Sequence, residues 1–230
     1  MLRLDRVNVV NDGFALTADW AVEPRRKVAV IGPSGAGKST LLGAIAGFLP
    51  LTSGRILWQG TDISHARPGE RPIAMLFQDG NLFPHLSVAQ NVALGLSPGL
   101  RLNPAQKDQV ARAIDRVGLE GLGARKPGAL SGGQQSRAAL ARVLVQAQPL
   151  MLLDEPFAAL GPALKTEMLD LVAGLAEETG ATLLMVSHDP ADARRIADQV
   201  ILVEGGRAHP PETTETLLND PPPALRAYLG

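Results

Sequence analysis

Val28-Ala29-Val30-Ile31-Gly32-Pro33-Ser34-Gly35-Ala36-Gly37-Lys38-Ser39-Thr40 reads as a strand, a glycine turn and the start of a helix. Its first four residues are a short apolar run of the kind that fills a buried parallel strand. Residues 32–40 then satisfy G-x-x-x-x-G-K-[ST], and Ser39 to Phe48 continues as an apolar stretch of helical length. Phosphate binding needs these residue types. Glycines let successive backbone N–H groups turn inward around phosphate oxygens, and the positive end of the following helix adds to that field. Lys38 supplies a point charge for β and γ phosphates, and the Ser39 hydroxyl is a hard oxygen ligand for Mg²⁺. Gly32, Pro33, Ser34, Gly35, Ala36, Gly37, Lys38, Ser39 and Thr40 are therefore the expected nucleotide cradle.

Outward from the cradle, apolar runs alternate with helical patterns. Strands are expected at Leu2 to Val10, Phe14 to Val22, Arg55 to Trp58, Ile73 to Gln78, Leu150 to Leu153, Thr182 to Val186 and Gln199 to Val203. Asn103-Pro104 starts a helix with an N-cap and a first-turn proline, and Val110, Ile114 and Val117 fall on one face. Ser131 caps another helix. Pro162 to Ala176 carries Leu164, Met168, Leu171 and Leu175 at three- and four-residue steps, and Asp189-Pro190 caps a further helix. Strands alternating with helices imply an α/β fold with a largely parallel sheet. Residues 79–148 break the alternation and read as a mostly helical insert in a single unit spanning residues 1–230.

Composition narrows the function. Apolar residues are 45% and charged residues 20% of 230, and the net charge is -1, so the chain has no disorder signature. The same near-neutral balance argues against a general nucleic-acid binder. With no cysteine, thiolate metal sites, disulfides and cysteine nucleophiles are excluded. The longest apolar stretch, Leu41 to Leu51, is too short to span a bilayer and is broken by Gly43, Gly47 and Pro50. The first residues lack the apolar core of a signal peptide, so the expected location is cytoplasmic.

Two further stretches carry chemistry. Leu150 to Leu153 ends in Asp154-Glu155, and ligands of open α/β sheets sit beyond the carboxyl ends of strands. Asp154 can hold a metal and Glu155 can deprotonate an attacking water, or both can be a solvated strand end. His188 follows the strand Thr182 to Val186 in the same way, as a γ-phosphate donor or a structural histidine.

The order of these elements resembles the ATP-binding subunit of ABC transporters. The cradle, Gln78 after a strand, Leu130-Ser131-Gly132-Gly133-Gln134, Asp154-Glu155 and His188 occur in the family's sequence. The resemblance implies a P-loop NTPase with an N-terminal antiparallel β subdomain, a mostly parallel core sheet and an inserted helical subdomain. It implies ATP and Mg²⁺ as cofactors, with the metal held by Ser39, Gln78 and Asp154. It also implies a catalytic set of Glu155, His188 and Gln78. Ser131, Gly132, Gly133 and Gln134 would close over ATP bound to a second copy, in a head-to-tail dimer.

Residues 75–100 also resemble the ATP-binding subunit of bacterial thiamine importers, through Met75-Leu76-Phe77-Gln78, Asn81 to Leu86, Val88 to Asn91 and Gly95 to Leu100. The chain ends soon after its last expected strand, as in that short type. Importers of iron, sulfate or polyamines are the alternative. The implied partners are transmembrane permease subunits, docked over residues 79–95 with Leu82, Phe83 and Leu86 exposed or packing the insert, and indirectly a periplasmic solute-binding protein. No nucleic acid is expected, and the location is the cytoplasmic face of the inner membrane, as a peripheral subunit. A soluble ABC-type ATPase on nucleic acid, a small-molecule kinase and a non-hydrolysing switch are the rivals.

Two departures from the family pattern stand out. Val10, Asn11 and Asp12 occupy the place of the ring that usually stacks on adenine, with Phe14 the nearest aromatic, so weak base discrimination is expected. Gly161 stands where the family has an aspartate that communicates across the dimer, so looser coupling between the two sites is expected.

Overall fold

A computed structural model describes residues 1–11, 13–78, 80–223, 225 and 226. The chain opens with β1 (Leu2–Asn11), β2 (Phe14–Val22) and β3 (Lys27–Ile31), followed by α1 (Lys38–Ala46), β4 (Ser53–Trp58), β5 (Thr61–Asp62) and β6 (Ile73–Leu76). Three helices come next: α2 (Val88–Ala93), α3 (Pro104–Arg116) and α4 (Gly132–Leu144). Then follow β7 (Leu150–Asp154), α5 (Pro162–Thr179), β8 (Thr182–Val186), α6 (Pro190–Ile196), β9 (Gln199–Glu204), β10 (Arg207–Ala208), β11 (Glu212–Thr213) and α7 (Thr214–Asn219).

The strands form one mixed sheet in the order β5-β4-β1-β2-β10-β9-β3-β8-β7-β6, with β11 also paired to β9. The run β9-β3-β8-β7-β6 is parallel throughout. At the other end β1 pairs antiparallel with β2 and with β4. The expected α/β architecture, with antiparallel N-terminal strands and a parallel core, is what the chain adopts.

Burial explains why the central strands are apolar on both faces. Along β7, Leu150 and Leu152 face the layer that contains α1, whereas Met151 and Leu153 face the layer built by α2 to α5. In β3, Val28 and Val30 pack toward α1, while Ala29 and Ile31 pack toward α6 and α7. Among the described residues between β6 and β7 there is no strand, as the helical reading of that region expects.

Two boundaries beside the site differ from expectation. The helix after the cradle ends at Ala46 rather than Phe48, because Gly47 turns left-handed (φ 87°) and caps it through bonds to the Ala44 and Gly43 carbonyls. That leaves Phe48 outside the helix, 52% exposed, with its ring edge-on to Phe77 at 5.4 Å. The strand expected to reach Gln78 stops at Leu76, where its ladder with β7 ends at Leu76↔Leu153. The two-residue strands β5, β10 and β11 are too short to carry a periodic signal.

Candidate active site

Parallel register brings the chemistry to one edge of the sheet. Val30 of β3 lies beside Val186 of β8, and Val186 lies beside Asp154 of β7. The residues that follow each strand therefore emerge together: Gly32 to Thr40 after β3, Glu155 after β7, and Ser187-His188 after β8. This is the carboxyl edge at which open α/β sheets bind ligands.

The cradle starts with a close approach. Gly32 has φ 150°, and a Cβ there would fall 2.0 Å from the carbonyl oxygen of Val203 in β9, so only glycine lets the turn pass. At the other end Gly37 precedes the first turn of α1, packed under the ring of Phe14. Lys38 is buried, and its Nζ donates to the carbonyls of Gly32 (2.8 Å) and Pro33 (3.0 Å). Burial pushes the Lys38 ammonium below its ordinary range, opposed by Glu155 and Asp154.

The Ser39 hydroxyl donates to Asp154 Oδ1 at 3.2 Å, so two of the three groups expected to hold a metal sit side by side. Burial pushes the Asp154 carboxyl up, against the Ser39 hydrogen bond. Among the described residues no group of three or more His, Asp or Glu side chains is close enough to hold a metal unaided. One hydroxyl and one carboxylate suit an ion such as Mg²⁺, which takes few protein ligands and completes its shell with water and phosphate oxygens.

Glu155 adopts the left-handed conformation (φ 47°), unusual for a non-glycine residue and typical of functional positions. Its carboxylate pairs with Nε2 of His188. A cleft of about 600 Å³ is lined by Asn11, Phe14, Lys38, Ser39, Gln78, Glu155 and His188, among others. Cradle, glutamine, carboxylate and histidine thus meet at one cleft. Phe14, the nearest ring to the vacant aromatic position, also faces this cleft; Asp12 lies outside the described residues.

Ser131, Gly132, Gly133 and Gln134 do not line this cleft. They form the N-terminus of α4. Ser131 Oγ accepts from the Gln134 N–H (3.3 Å) and Gln134 Oε1 accepts from the Ser131 N–H (3.0 Å), a reciprocal capping box. Ser131 and Gly132 are exposed. Gly132 borders a second cleft, of about 570 Å³, which Gln78 and Glu155 also border.

Sequence reasoning misses Arg142 on α4. Its guanidinium donates to the carbonyls of Gly80 (2.6 Å) and Asn81 (2.7 Å), pinning the loop that follows Gln78. An isolated arginine within a helical pattern gives no signal of such a distant backbone contact. In the same loop Phe83 is 47% exposed, edge-on to His85, while Leu82 packs against the core and Leu86 is half-buried. Gly161 is the N-cap of α5 and has no side chain to bond the free N–H groups of the first turn. Among the described residues no helix is long and apolar enough to cross a membrane.

Comparison with known proteins shows the family. The family description "ABC transporter" matches residues 17–158. A thiamine import ATP-binding protein, ThiQ, of Ruegeria sp. (strain TM1040) is 63% identical over the whole of both chains. Its counterpart in Cereibacter sphaeroides is 61% identical over the whole of both. Among solved structures, a dimeric ATP-binding cassette in a post-hydrolysis state, bound to ADP and Pi, superposes with a TM-score of 0.80. The two share 28% identity, over 93% of this chain and 99% of that one. On the family match and full-length similarity together, this chain belongs to the ABC transporter family, as one of its ATP-binding ATPases.

Proposed function

We propose that the chain hydrolyses ATP to drive uptake of thiamine or a thiamine phosphate through membrane subunits. The convergence of Lys38, Ser39, Gln78, Glu155 and His188 on a cleft that Ser131 to Gln134 do not reach carries this reading. A site complete except for a second anion-binding helix end calls for a second copy, set head to tail, to supply it. The dimeric cassette among the solved relatives supports this arrangement. The thiamine assignment draws on the two import proteins that resemble the whole chain.

In this reading Gly32 to Thr40 wrap the triphosphate, with Lys38 turning from its own loop carbonyls to the β and γ phosphates. Ser39, Asp154 and Gln78 would hold Mg²⁺, which supplies charge neutralisation on the phosphates. Glu155 takes a proton from water as the water oxygen bonds to the γ phosphorus and the bond to the β–γ bridging oxygen breaks. His188, held by Glu155, donates to the γ-phosphate oxygens. Ser131, Gly132, Gly133 and Gln134 of the second copy close the site. Residues 79–148 act as an inserted helical subdomain of one ATP-binding unit, and its exposed loop around Phe83 docks on the permease at the cytoplasmic face of the membrane. A periplasmic solute-binding protein delivers the substrate on the far side.

Uptake of labelled thiamine by cells lacking the chain tests the assignment. Wild-type chain should restore uptake and Glu155→Gln should not. Uptake that persists without the chain, or a requirement for it with a different solute only, would overturn the thiamine reading.

A further inference from the structure

The first turn of α5 carries two adjacent side chains that face different parts of the site. Leu164 lies over Gly133 at the start of α4, so close that a Cβ on Gly133 would fall 2.3 Å from Leu164 Cδ2. Lys165 points the other way. Its Nζ lies 2.9 Å from Asp189 Oδ2 and 2.7 Å from Asp192 Oδ1.

Those carboxylates control the chain on both sides of His188. Asp192 is buried, and its second oxygen accepts the hydroxyl proton of Ser187. Ser187 Oγ in turn accepts the Asp189 N–H at 3.1 Å. Residues 187 and 189, which flank the histidine, are therefore both tied to one ammonium. Burial works against charge on Lys165, but the hydrogen bonds to Asp192 and Asp189 outweigh it and raise its pKa. Lys165, Glu155 and His188 also border a common cavity of about 290 Å³.

The His188 side chain is 41% exposed, so packing holds it only in part, and the backbone on either side contributes to its aim. From this geometry we infer that Lys165 is a positioning residue for His188, which clamps Ser187, Asp189 and Asp192 so that the imidazole meets Glu155. The inference rests on the reading of His188 as a γ-phosphate contact.

Steady-state ATP hydrolysis by the full chain tests this. Lys165→Met should lower kcat on the order of tenfold to a hundredfold, the range expected for a misplaced catalytic group, with KM for ATP nearly unchanged. It also leaves Asp192 buried and unpaired, so Tm should fall. Lys165→Met with Asp192→Asn removes the buried charge together with its partner and keeps an acceptor for the Ser187 hydroxyl; Tm should recover while kcat stays low. Lys165→Arg should restore most of both. Recovery of kcat together with Tm in the double variant would reduce Lys165 to a structural role and overturn the inference. So would unchanged kcat in Lys165→Met when His188→Ala abolishes hydrolysis. If wild-type chain and its complex with the membrane subunits fail to hydrolyse ATP, the reading of the whole site falls instead.

Discussion

Gly133 of α4 and Leu164 of α5 touch where any larger residue at position 133 would collide. The first turn of α4 is thus seated against the first turn of α5 at Gly133. Gly133→Ala should cost about 1–3 kcal/mol, the usual range for overpacking, and should weaken ATP-driven dimerisation. Adding Leu164→Ala opens space for the new methyl. The double variant should be less destabilised than the sum of the two single changes, as urea unfolding of all four proteins would report. Strict additivity would contradict the contact.

Asp154 illustrates a residue whose function opposes stability. Burial raises its folded-state pKa above the unfolded value of about 3.9. The folded protein therefore holds this proton more tightly than the unfolded chain does. Stability is lost as pH rises through that window, and the ionised carboxylate is a net cost at pH 7. Asp154→Asn removes the charge and keeps an acceptor for the Ser39 hydroxyl. Without nucleotide or magnesium, it should melt higher at pH 7, by about 2–4 °C if the gain is near 1 kcal/mol in a chain of this size. The advantage should shrink toward pH 4, and hydrolysis should be lost. Thermal unfolding across pH measures it; a lower Tm at pH 7 would contradict the argument.

How much of this site is legible in sequence follows from how local each part is. The cradle, Asp154-Glu155 and His188 are short stretches attached to the ends of apolar strands, and parallel register aligns strand ends without any further information. Ser131 and Asn103 are legible as caps because their bonding partners lie three residues on. Lys165, Arg142 and Arg71 are not, since each reaches across the fold. Arg71, for example, is buried and donates to the Ala44 and Ile45 carbonyls at the end of α1. In a one-dimensional pattern such a cation looks the same as a solvated one. The aromatic position shows a different limit. A ring missing from its usual place suggests an unsupported base, yet the β1–β2 hairpin brings Phe14 back to the cleft by pairing it with Asn11.

Phe14 therefore gives a nucleotide prediction. Its ring packs on Gly37 and borders the cleft, so it can stack on a base but offers no hydrogen bond to tell one base from another. Phe14→Ala should weaken ATP and GTP binding alike, by about 1–3 kcal/mol for a lost base–aromatic stack. In the wild-type protein the two affinities should be similar. Calorimetric titration with both nucleotides decides, and a strong ATP preference would contradict it.

Gly161 can be tested by restoring the family residue. A Cβ there meets nothing within 4 Å, and φ is -64°, so aspartate fits the N-cap of α5 without strain. Gly161→Asp should add a side-chain acceptor to the first turn and raise stability by a few tenths of a kcal/mol. If the glycine loosens communication between two sites, ATP cooperativity should increase in the variant. Unchanged cooperativity with intact folding would show that position 161 has no such role.

The shared ATP site can be measured directly by trapping it. Glu155→Gln retains the cradle and removes the base, so nucleotide should bind and persist. With saturating ATP and Mg²⁺, light scattering after size exclusion should report a doubled mass that reverts to the monomer when nucleotide is withdrawn. A strictly monomeric species at saturating ATP, also in the presence of the membrane subunits, would contradict a site completed by Ser131 to Gln134 of a second copy.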